Sequence, residues 1–83
     1  MLTKRKIARQ FLISADRPTF LDIVYKAKVT PEQKEMLYLS LLDQHDHWFI
    51  ADKLGLEKTT VDHQIGKAYD LIYRYISNTV FAQ

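Results

Sequence analysis

IADKLGLEKTTVDHQIG, residues 50–66, places a small side chain at Ala51, a glycine four positions later and a β-branched residue six beyond that. The spacing has a mechanical reason. Where two helices cross closely, the first needs a small residue at the contact and the turn needs a residue free of a Cβ penalty. The second helix needs a stiff apolar plug facing back. Ala51, Gly55 and Val61 fill those roles, and Ile50, Leu54 and Leu56 supply an apolar floor. The stretch therefore predicts a helix-turn-helix arrangement pivoting at Gly55. Two acids, Glu57 and Asp62, stand at the leading end of its second helix.

Working outward, that second helix meets no breaker from about Lys58 to about Asn78. Val61, Ile65, Ala68, Ile72 and Ile76 form one stripe along it. Asp46 is the natural N-cap of the short helix before it, which carries Trp48, Phe49, Ile50 and Leu54. Thr30-Pro31-Glu32-Gln33 is the clearest helix start in the chain. Thr30 is placed to accept from the Gln33 amide while Gln33 reaches back, and Pro31 suits the first helical position. The helix it begins is expected to run to about Gln44, burying Leu37, Leu41, Tyr38 and Leu42. Phe20, Ile23, Val24 and Ala27 predict a helix over about 17–28, capped by Asp16 or Ser14. Ile7, Phe11 and Leu12 predict another over 3–13. No segment alternates with period two. The expected fold is all-α, about five helices in one domain without a wing. A basic N-terminal helical pair over 1–28 precedes a helix-turn-helix core over 29–83.

Bulk composition narrows the function. A chain of 83 residues has room for one domain. It has no cysteine, which excludes disulfides and Cys-based zinc sites. Asp43, His45, Asp46 and His47 lie close in sequence but lack a third fixed ligand, so neither a metal nor a cofactor is expected. Ser14, Ser40 and Ser77 have no histidine at a telling spacing, and no glycine loop is built to cradle phosphate, so no enzyme is expected. No apolar run reaches the ~18–20 residues of a membrane span. Arg9 and Gln10 interrupt any secretory core at the front. The expected location is the cytoplasm.

Charge is unevenly placed. Residues 1–28 hold seven bases against two acids, and residues 29–83 hold five bases against eight acids. The basic surface belongs to the front of the chain, above all to Lys4-Arg5-Lys6 and Arg9.

TPEQKEMLYLSLLDQ followed by WFIADKLGLEKTTVDHQIGKAYDLIYR resembles the DNA-binding domains of region 4 of sigma-70-type factors and of LuxR-type response regulators. The shared marks are the Thr-Pro helix start, Ile50-Ala51 before the turn, the Thr60-Val61 opening and Lys67-Ala68 two turns in. The likeness covers residues 29–76. It implies a DNA-binding transcriptional regulator whose last helix enters the major groove of double-stranded DNA, with RNA polymerase or another regulator as a further partner. Matched to the motif, Lys58, Thr59, Asp62, His63, Gly66 and Lys67 face the groove. Two departures stand out. Glu57 occupies the N-cap position where the family carries Ser or Thr, with a shifted cap through Thr59 and Asp62 as the alternative. The groove-facing set also includes an acid and no arginine, so bidentate arginine–guanine contacts are missing from it.

Phosphate contacts nevertheless supply most non-specific affinity. The candidates for DNA contact are Lys58, Thr59, Thr60, Asp62, His63, Gln64 and Lys67, joined by Lys4, Arg5 and Lys6 lying along the backbone or in the minor groove. Leu71, Tyr73, Val80 and Phe81 suggest either a wide core stripe or the seam of a homodimer through the C-terminal helix. The competing reading is a protein-interaction module, an adaptor or inhibitor of the transcription machinery that keeps the helix-turn-helix scaffold but contacts a protein.

Overall fold

Four of the five helices begin where a short polar side chain closes on an amide one turn further along. In the computed structural model, which describes residues 3–79, the helices are α1 (Lys4–Ser14), α2 (Arg17–Lys26), α3 (Pro31–Leu37), α4 (His47–Leu54) and α5 (Lys58–Thr79). Thr3 accepts from the Lys6 amide at 3.2 Å, Asp16 from Thr19 at 3.0 Å and Asp46 from Phe49 at 2.8 Å. Thr30 and Gln33 form the full reciprocal box: the Gln33 amide donates to Thr30 Oγ1 at 3.1 Å, and the Thr30 amide donates to Gln33 Oε1 at 3.0 Å. Each such cap is worth about 1 kcal/mol. The all-α expectation holds: no strand occurs among the described residues.

The third helix departs from its expected course. The α geometry stops at Leu37 and a π-helical turn carries the chain from Tyr38 to Leu42. The Asp43 amide closes it on the Tyr38 carbonyl at 3.0 Å, and the His45 amide bonds Leu39 at 2.9 Å. The wider turn rotates the side chains beyond it. Leu39 is buried, as is Met36, while Tyr38, Leu41 and Leu42 are only half-buried. Gln44 then takes a left-handed backbone, φ 59°. In α1, likewise, Ala8 and Leu12 form the fully buried edge and Ile7 and Phe11 flank it.

The core is organised around α5. Its stripe of Val61, Ile65, Ala68, Ile72 and Ile76 is buried throughout, and α1, α2, α3 and α4 all pack against this one helix. Phe20, Ile23, Val24 and Ala27 bury the expected face of α2. Val80 and Phe81 lie outside the described residues.

The two glycines behave oppositely. Gly55 sits at φ 70° with nothing near where a Cβ would be, so its requirement is purely conformational. Gly66 is helical, and a Cβ there would run into the Arg5 guanidinium, whose Cζ would lie 2.9 Å away. Gly55→Ala is expected to lower stability by about 1 kcal/mol, the cost of a left-handed non-glycine residue. Gly66→Ala gains about 1 kcal/mol of helix propensity while dislodging a flexible, exposed arginine, so its net change should stay within about 1 kcal/mol. Urea titrations of both variants read the contrast. Equal stability of Gly55→Ala and the parent would contradict the turn geometry.

Candidate nucleic-acid interface

The turn between α4 and α5 spans Gly55, Leu56 and Glu57. The Leu56 amide reaches back to the Ala51 carbonyl at 2.8 Å and the Gly55 amide to Asp52 at 3.3 Å, the paired bonds of a Schellman ending. Ala51 and Val61 are both buried against this junction. Glu57 fills the N-cap position of α5, its carbonyl accepting from the Val61 amide at 3.2 Å.

The surface left exposed at the front of α5 is narrow and regular. Thr59, His63 and Lys67 are exposed, and their spacing of four puts them on one stripe. Thr60 is half-buried beside them.

Asp62 does not serve as a helix cap. Its carboxylate lies 2.5 Å from His47 Nδ1 through Oδ1 and 3.0 Å from Lys58 Nζ through Oδ2. His47 thus ties the first turn of α4 to the first turn of α5, and the acid that looked misplaced in the sequence is neutralised within the fold. Lys58 also lies over the Trp48 ring, 5.6 Å from its centroid. These contacts, led by the His47 bond, hold the Asp62 carboxyl below the usual carboxylate range against an opposing effect of burial. Gln64 is engaged as well: its Oε1 accepts from Gln33 Nε2 at 3.1 Å, joining α5 to the capping box of α3.

The front of the chain is brought to the same helix. Arg5 lies over Gly66 and makes two bonds of 2.9 Å to the Asp70 carboxylate. The Arg5 bond is also what holds the Asp70 carboxyl low. Lys4 sits over the Tyr73 ring at 5.8 Å, and Lys6 is exposed on the same helix, α1. Gly66, expected to face outward, is instead buried beneath Arg5. Beyond Lys67 the open side of α5 carries Asp70, bridged by Arg5, and then Arg74, with Lys4 beside it over Tyr73.

Spacing alone is enough to suggest the Lys58–Asp62 pair, since residues four apart on a helix are neighbours. The partners of His47, Arg5 and Gln64 come from elements 15, 65 and 31 residues away, and no local signal names them. Among the described residues no group of three or more His, Cys, Asp or Glu is arranged to hold a metal ion, and no helix is long and apolar enough to cross a membrane. Set against models of protein families, curated proteins and solved structures, the chain matches none.

The depressed carboxyls have a defined consequence for stability. Asp62 and Asp70 bind protons less readily when folded than when unfolded, so their contribution is present above the unfolded value near 4 and is lost as pH falls through the lower folded value. Asp62→Asn should therefore melt below the parent at about pH 6 and converge with it toward about pH 2. Thermal melts across that range test the bridge. A constant gap between the two curves down to the acid end would count against it.

Proposed function

We propose that the chain is a small sequence-specific DNA-binding regulator of transcription, without catalytic chemistry of its own, acting in the cytoplasm through a helix-turn-helix. Its recognition helix is α5, and double-stranded DNA is its partner. The observation that carries the reading is the docking of Lys4-Arg5-Lys6 beside α5 through the Arg5–Asp70 bonds. It gives the helix a cationic flank beside an exposed face that itself carries Lys67 and, further along, Arg74. Thr59 and His63 then read base edges from the leading end, Lys67 and Thr60 contact phosphates, and Lys4 and Lys6 extend those contacts along the backbone. Asp62, Gln64 and Gly66 act as supports for the helix, because each already has a partner inside the fold. The likeness of residues 29–76 to sigma region 4 and LuxR-type domains points the same way.

Two copies on an inverted repeat would add contacts and sharpen specificity, as for other helix-turn-helix dimers. Leu71, half-exposed on α5, is the apolar residue such a pairing would use. RNA polymerase is a natural further partner of a regulator of this kind.

A selection from random duplexes, followed by titration at several salt concentrations, tests the proposal. An enriched motif is expected, with affinity falling steeply as salt rises. Lys4→Gln, Lys6→Gln and Lys67→Gln should each reduce the salt slope by about one while leaving the motif unchanged. Thr59→Ala with His63→Ala should relax the motif and leave the slope nearly intact. If no duplex binds even at low salt, the proposal fails and the scaffold serves protein contact alone.

A further inference from the structure

A second surface lies away from the Thr59–His63–Lys67 stripe. A cleft of about 770 Å³ opens between α1, the π-helical turn and the start of α4, with Lys58 and Tyr69 of α5 also on its lining. Its chemistry is unlike that of a leftover groove. Ile13 of α1 is 48% exposed and Trp48 of α4 is 70% exposed, and half-buried Leu41 of the π-helical turn shares the lining with them. Large apolar side chains left this open in one concave place mark a surface meant to be covered. Tryptophan and arginine are also the residues that most often dominate binding between proteins.

The polar groups indicate what covers it. Arg9 is exposed and forms no ion pair with any carboxylate among the described residues; its polar neighbour is the buried hydroxyl of Tyr69. Asp46, the acid on the lining, is engaged in capping α4 through the Phe49 amide. The lining thus holds a cation whose counter-charge the fold does not supply, next to apolar side chains that stay largely open even with Lys58 near the Trp48 ring. The π-helical turn that ends the third helix and the left-handed Gln44 after it shape the same wall. The cleft is too open to enclose a small molecule on most sides, whereas a peptide laid along it would cover both walls.

We propose that this cleft docks an acidic peptide segment of a partner protein, seating a large apolar side chain between Ile13 and Trp48 and a carboxylate on Arg9. The partner is recognised by an Asp or Glu beside a Leu, Phe or Trp, a chemistry independent of whether α5 reads DNA.

Trp48 is the one tryptophan of the chain, so its emission reports on the cleft directly. A peptide-display selection against the full chain should enrich segments carrying Asp or Glu next to a large apolar residue. Labelled versions of those peptides should shift Trp48 emission saturably and bind at least tenfold more weakly to Arg9→Gln and to Trp48→Ala. Arg17→Gln, exposed on α2 outside the cleft, should bind them as the parent does. Selected peptides without acidic residues, or equal binding by Arg9→Gln, would overturn the proposal. So would a benzoate or adenosine monophosphate titration that saturates the Trp48 signal with the same dependence on Arg9, since the occupant would then be a small anion. An Arg9-dependent shift of Trp48 produced by duplex DNA would instead make the cleft part of a nucleic-acid surface, and the peptide reading would fall.

Discussion

One buried stripe holds this molecule together. Val61, Ile65, Ala68, Ile72 and Ile76 lie on a single face of α5, and every other helix packs against that helix. The arrangement stems from size. A chain of 83 residues buries a modest fraction of its surface and cannot sustain two independent cores. Concentrating contacts on one long helix lets shorter helices, each too short to persist alone, share a common wall. It also fixes which parts of α5 remain open: the side opposite the buried stripe, from Thr59, His63 and Lys67 at the leading turns to Arg74 and Asn78 further along.

That constraint explains how charge is managed. Acids on α5 are paired at both ends of its middle section: Asp62 with His47 and Lys58, Asp70 with Arg5. The Arg5–Asp70 pair is exposed and the Asp62 contacts are half-buried, and such pairs are individually weak in stability. Their effect is chiefly positional. The first joins the starts of α4 and α5, and the second keeps the basic end of α1 in register with the helix it flanks. A net charge of +2 spread over the whole chain conceals this arrangement completely.

How much of it was legible in the sequence depended on distance along the chain. Thr30 with Gln33, Asp46 and Gly55 announced themselves because capping and left-handed turns are set by residues within a few positions. The α5 stripe was equally plain, since its period extends along most of the helix. The π-helical turn was not, because Tyr38-Leu39-Ser40-Leu41-Leu42 satisfies a helical pattern at either pitch and packing chooses between them. The exposure of Trp48 was invisible for a related reason: a large apolar residue in an amphipathic helix reads as core until its neighbours are known. Arg5 over Gly66 and His47 against Asp62 join distant segments, and only the assembled fold brings them together.

The π-helical turn has a consequence for how the chain leaves its third helix. It closes that helix: the Asp43 amide reaches back to Tyr38, the His45 amide to Leu39, and Gln44 reverses the backbone at φ 59°. A residue with a Cβ held in that conformation costs about 1–2 kcal/mol. The link into α4 thus carries a small conformational penalty, which a glycine at position 44 would relieve without touching the α5 scaffold.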